Sequence, residues 1–135
     1  MCRNPTVPQP EQPSSATRLR YAPPLCLTDI LEMEIVNALH GKVFRHEMTE
    51  SERDQCLAAF HADVAAGFWQ RVTIGPTSLR NRVIAIASRR TATHGCRTLD
   101  ILHVAAALEL GCVDFLSFDH RQRSVALAEG LNIVR

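Results

Sequence analysis

The stretch from Thr98 to Asp119, TLDILHVAAALELGCVDFLSFD, constrains the fold more than any other part of this sequence. Thr98 reads as an N-cap, and Leu99, Leu102, Ala105, Ala106 and Leu110 follow at helical spacing. Gly111 stands where the chain leaves that helix, a position that favours a residue free to adopt positive φ. The pattern then predicts a short strand, Phe115-Leu116-Ser117-Phe118, that delivers Asp119 at its carboxyl end. Asp100 is thereby placed in the first turn of a helix and Asp119 at the tip of a strand. Open α/β sheets bind ligands in the crevice beyond the carboxyl ends of their strands, and two carboxylates there are candidates for holding a divalent metal. Each also has an ordinary structural reading. An Asp in a first turn complements the helix dipole. An Asp after a strand caps the next helix, here expected over His120 to Glu129.

Upstream, Thr28 or Asp29 is expected to cap a helix running to about His40, with Gly41 just beyond it. Leu31, Ile35, Ala38 and Leu39 form its apolar stripe, and Glu34 borders that stripe. A carboxylate beside an apolar face costs free energy unless it gains a partner, which marks Glu34; Glu32, near Val36 and Leu39, competes with it. Thr49 and Glu52 form a capping box that opens a second helix, lined by Cys56, Leu57, Phe60, Val64 and Ala65 and ended by Gly67. Trp69 to Ile74 reads as a short strand before the Gly75-Pro76 break. A third helix, from about Thr77 to Ala92, buries Leu79, Val83, Ile86 and Ala87. It also carries Arg80, Arg82, Arg89 and Arg90, either a solvated face or a contact for an RNA backbone. A last strand is expected over Asn132 to Val134, and the alternation of helices with short apolar strands argues for a parallel sheet covered on both faces.

The first 24 residues are different. Pro5, Pro8, Pro10 and Pro13 deny the segment a helix or sheet interior, so it reads as an irregular arm with at most a helical turn near Ser14 to Arg20. The domain is expected to start at Leu25 and run to the end of the chain. With 135 residues and 46% apolar composition, one soluble globular domain is the expectation. No apolar run approaches the roughly 20 residues of a membrane span. A formal net charge of +1 excludes a strongly basic field, so any nucleic-acid contact must come from local patches. Five scattered cysteines and no apolar leader favour reduced thiols in the cytoplasm. His94, Cys96, His103 and Cys112 lack the tight spacing of a zinc site.

The strings LDILHVAAALELG and FLSFDHRQ, a helix, and the closing LNIV resemble the C-terminal half of PIN-domain proteins, many of them VapC-type toxin ribonucleases. The likeness extends upstream to TDILEMEIVNAL, and so covers roughly residues 25 to 134. It implies a three-layer α/β/α fold and metal-dependent hydrolysis of RNA phosphodiester bonds. It implies Mg²⁺ or Mn²⁺, hard ions that prefer oxygen ligands. Glu34, Asp100 and Asp119 match three of the family's acids, because Glu34 precedes Asn-Ala-Leu at the family's spacing. Ser117 matches the Ser/Thr two residues before the last acid, Asn37 supports the site, and Asp114 is a spare acid more in keeping with a turn. Arg97, Arg121 and Arg123 are the expected RNA contacts. An antitoxin and a second copy of the chain are the expected protein partners.

A fourth family acid ends the first strand in an apolar-apolar-Asp-Thr/Ser pattern, which does not occur before Leu25. The resemblance thus implies a domain lacking its N-terminal first strand and most of its first helix. Two readings follow: an endoribonuclease restrained by an antitoxin, or an inactive remnant that binds RNA or a partner. With one acid fewer to hold the ion, weak cleavage or none is expected.

Overall fold

The computed structural model describes Cys2–Arg3 and residues 24–134. Most of the proline-rich stretch, including the helical turn expected between Ser14 and Arg20, lies outside those residues. In chain order the elements are β1 (Cys2–Arg3), β2 (Leu25–Leu27), α1 (Asp29–Phe44), α2 (Glu50–Ala65), β3 (Trp69–Arg71), α3 (Pro76–His94), α4 (Thr98–Glu109), β4 (Asp114–Leu116), α5 (His120–Ala128) and β5 (Asn132–Val134). None of the described helices is long and apolar enough to cross a membrane. The chain divides into two compact units, one of them Cys26–Thr73.

Within Cys26–Thr73, Thr28 caps α1, its hydroxyl accepting the Leu31 N–H at 3.2 Å. The helix does not stop at His40 as the sequence suggests. It runs through Gly41, whose carbonyl accepts the Arg45 N–H at 3.1 Å, and the positive φ that ends the segment, 57°, belongs to His46. A helix-interior glycine costs only about 0.5–1 kcal/mol against alanine, too little to stop a helix with another turn of hydrogen bonds to gain. Of the expected stripe, Leu31, Ile35 and Leu39 are half-buried, whereas Ala38 is exposed. The capping box of α2 is present: the Thr49 N–H donates to Glu52 at 2.8 Å and the Glu52 N–H to the Thr49 hydroxyl at 3.2 Å. Phe60 is the buried residue of α2, its ring edge-on to Trp69 with centroids 5.8 Å apart. Cys56 and Ala65 are exposed, so the packed face is narrower than the sequence suggests. The expected strand to Ile74 ends at Arg71, and the next residue, Val72, donates its N–H to the Leu27 carbonyl at 3.0 Å.

The other unit is built on α3, α4 and α5, which pack against one another. Pro76 occupies the first turn of α3, where its missing N–H costs nothing, and Gly95 ends the helix at φ 63°. Ile86 is fully buried, and Leu79, Val83 and Ala87 are half-buried, as their spacing predicts. On α4, Ile101, Val104, Ala105, Ala106 and Ala107 form the core face. Gly111 follows that helix at φ 67°, in the left-handed conformation expected there. Three of the arginines on α3 are held internally: Arg82 bonds Glu109 at 2.6 Å, and Arg89 and Arg90 both bond Glu129. That favours the structural reading of the arginine-rich face.

β4 pairs in parallel with β5, from Asp114 opposite Asn132 to Leu116 opposite Val134. On its other side β4 pairs with β1, Cys2 opposite Phe115 and Arg3 opposite Asp114, and Arg3 also faces Leu25. These β1 pairings are antiparallel, so the sheet is mixed where an all-parallel one was expected. With β5 on one side and β1 on the other, β4 is paired along both edges, and an extended segment of either direction can satisfy a strand's backbone N–H and C=O groups.

Candidate functional site

Asp100 is placed by the start of α4. The helix begins at Thr98, so the cap is Arg97 and not Thr98. Arg97 is extended (φ −80°, ψ 158°), and its N–H donates to the Asp100 carboxylate at 3.1 Å. A carboxylate in the first turn reaches back to the cap residue, which sets the helix start one residue earlier than a threonine cap would.

Asp119 is placed by the end of β4. The ladder closes at Leu116 opposite Val134, so Ser117 and Phe118 leave the strand rather than extend it. Asp119 therefore lies beyond the strand, as the N-cap of α5, and its Oδ1 accepts the Gln122 N–H at 2.8 Å. Asp114, expected in a turn, is the first residue of β4. Both acids do the local structural work that their positions suggest. A capping bond uses only part of a carboxylate's acceptor capacity, which is about four lone-pair sites.

These two acids belong to one corner. The Ser117 hydroxyl, 9% exposed with its residue, accepts the Asp119 N–H at 3.1 Å and donates to Gln122 Oε1 at 2.5 Å. The other end of the Gln122 amide, Nε2, reaches the Asp100 carbonyl at 3.4 Å. Cys96 lies against the same corner, donating its thiol hydrogen to the Arg121 carbonyl at 3.3 Å. Burial pushes the Cys96 thiol up from its ordinary range, and the negative charges of Asp100 and Asp119 push it further the same way. One thiol thus feels both carboxylates.

The expected RNA contacts are distributed around this corner. Arg97 and Arg121 are exposed, Arg121 turning Nη1 toward the Gly95 carbonyl at 3.5 Å, and Arg123 is half-buried on α5. Glu34 and Asn37 lie on α1 in the unit Cys26–Thr73, half-buried and exposed respectively. The competing acid, Glu32, is bound to Arg71 at 2.6 Å, and that bond lowers its carboxyl below the usual range.

Among the described residues, no three His, Cys, Asp or Glu side chains are grouped closely enough to hold a metal ion. His94 turns instead to the Ser124 hydroxyl at 2.7 Å, and Cys96 to a backbone carbonyl, which leaves the imagined zinc set without support. Asp100 and Asp119 supply carboxylate oxygens, the donor type that hard divalent ions prefer. Mg²⁺ is commonly held by one or two carboxylates, with water and substrate phosphate completing its shell.

Gln122 is the residue of this corner that the sequence reading missed. The signal was present: Asp119-His-Arg-Gln122 has the spacing of a capping box, in which the glutamine turns back to the cap. No family model matches the chain, and no curated protein matches it.

Proposed function

We propose that this chain is a PIN-type, metal-dependent endoribonuclease domain, with Asp100 and Asp119 as the carboxylates that hold Mg²⁺ or Mn²⁺. One observation carries the reading: two acids from different elements are tied into one corner by Ser117 and Gln122. The resemblance of LDILHVAAALELG and FLSFDHRQ to that family supports it. Glu34 and Asn37, on α1 in the unit Cys26–Thr73, enter the proposal through the resemblance alone. A bound divalent ion supplies Lewis-acid polarisation of a phosphoryl group and charge stabilisation of the leaving oxygen. The protein's part is to hold the two carboxylates in place through their caps. Arg97 and Arg121, exposed on the same unit, offer positive charge to the RNA backbone. Three thiols, Cys56, Cys96 and Cys112, are free, which suits a cytoplasmic protein. An antitoxin-like partner and self-association complete the proposal.

A second reading is a domain that binds RNA or a partner without hydrolysing it. It is favoured by the lack, among the described residues, of a third metal-ligating side chain grouped with the pair. The deciding experiment is Mg²⁺- and Mn²⁺-dependent cleavage of a structured RNA by the wild-type chain and by Asp100→Asn and Glu34→Gln. Metal-dependent cleavage lost in Asp100→Asn supports hydrolysis. RNA binding without cleavage in either metal supports the second reading.

A further inference from the structure

Gln122 does not do what its place in the sequence predicts. At the third helical position after an Asp cap, a glutamine ordinarily turns back to accept the N–H of the cap residue. Here that N–H, on Asp119, is taken by the Ser117 hydroxyl at 3.1 Å. The hydroxyl passes its own hydrogen to Gln122 Oε1 at 2.5 Å, and the amide is turned so that Nε2 faces the Asp100 carbonyl at 3.4 Å. The amide orientation follows from its neighbours, because a flipped group would set Oε1 against the lone pairs of that carbonyl.

From this diversion we infer that Gln122 is a positioning residue, fixing the start of α4 against the start of α5 and so setting the Asp100 and Asp119 carboxylates relative to each other for one divalent cation. The inference rests on the proposed metal site. Its chemistry is specific to glutamine, since the link needs an acceptor at one end of the side chain and a donor at the other. Helix starts are held by few backbone bonds of their own; Asp100 lies in the first turn of α4, and Asp119 is the cap residue of α5. Ligand geometry for a small divalent ion tolerates little displacement, so supporting hydrogen bonds of this kind tune affinity by about 10–100-fold.

Gln122→Glu separates positioning from charge. Glutamate keeps the acceptor for Ser117 and is a good capping-box residue, so α5 is retained. It cannot donate to the Asp100 carbonyl, and it adds a negative charge beside the cation. Charge alone predicts tighter binding; positioning predicts weaker. The experiment is a Mn²⁺ titration of the full chain, following loss of the free-ion electron paramagnetic resonance signal. It compares wild type, Asp100→Asn, Gln122→Glu, Gln122→Met and Ser117→Ala. We expect one Mn²⁺ per wild-type chain and loss of binding in Asp100→Asn. About tenfold weaker binding is expected in both Gln122 variants and in Ser117→Ala. Binding by Gln122→Glu at or above the wild-type affinity overturns the inference while leaving the metal site intact.

A second, metal-free measurement tests the link itself. In Ser117→Ala the Asp119 N–H is left without its acceptor, Gln122 can swing back to it, and the Asp100 carbonyl is released. Hydrogen exchange at the Arg97 amide, capped by Asp100, is then expected to quicken several-fold although the hydrogen bonds of Ser117 go to Gln122 and Asp119. Unchanged exchange at Arg97 overturns the inference. Quickened exchange in a chain that binds no Mn²⁺ retains the link and refutes the metal site, and with it the role inferred for Gln122.

Discussion

Asp119 accepts the Gln122 N–H at 2.8 Å, so it is a helix cap whatever else it binds. Substitution can separate the two roles. Asparagine caps as well as aspartate, so Asp119→Asn should change stability by less than about 0.5 kcal/mol, whereas Asp119→Ala should cost about 1 kcal/mol by urea unfolding. Both should lose Mn²⁺ affinity, because neither retains the charge. Equal stability loss in the two variants would show that the carboxylate charge, not the cap, holds α5. The thiols give a second check at this scale. Cys56 is exposed, while Cys96 is 6% exposed and its thiol is pushed up by burial and by the two acids. The thiolate is the reactive form, so alkylation followed by mass spectrometry should modify Cys56 well before Cys96. Faster labelling of Cys96 would mean that the corner opens readily to solvent.

Elements in the larger unit are fastened at their carboxyl ends by buried or half-buried acids. Glu129, its side chain 6% exposed, caps the end of α5 and is gripped by Arg89 and Arg90 of α3, with Arg90 Nε at 2.7 Å. The Arg89 hydrogen bond, with Arg90 assisting, holds the Glu129 carboxyl below the usual carboxylate range against the opposing effect of burial. A group lowered in the folded state stabilises the fold fully above its unfolded value, about 4.3 for Glu, and loses that contribution as pH falls through the folded value. Glu129→Gln should therefore cost about 2 kcal/mol at neutral pH. The gap to wild type should narrow in acid below about pH 4. A gap independent of pH in urea unfolding would show that packing, not the ion pair, accounts for it. Ile86→Ala, at a fully buried position on α3, should cost about 2–5 kcal/mol at every pH. At this scale the helices were legible because caps and apolar spacing are local, as at Thr49, Glu52 and Gly111. Strand limits were not. Residues Asp114 to Leu116 are a strand because Asn132 to Val134 lie beside them, and that partner lies outside any local window. The same holds for β1, whose pairing with β4 no local pattern announces.

Across the whole molecule, the acids of the corner were readable as types and positions, but what joins them was not. Asp100 and Asp119 stood out by their places after a cap and after a strand. The Ser117–Gln122–Asp100 link depends on two helix starts meeting, which sequence spacing does not encode. The arginines show the converse: a basic stripe in sequence becomes, for Arg82, Arg89 and Arg90, a set of internal ion pairs. Under the proposed function, the charge offered to an RNA backbone is local, from exposed side chains such as Arg80, Arg97 and Arg121, in a chain of formal net charge +1. The proposed function rests on this corner taking a divalent cation. Paramagnetic broadening of backbone amide signals by substoichiometric Mn²⁺ tests it most directly. Selective loss of the signals of residues 97–101 and 117–122 is expected, abolished in Asp100→Asn. Broadening confined to other acidic residues, or spread evenly over the surface, would contradict it.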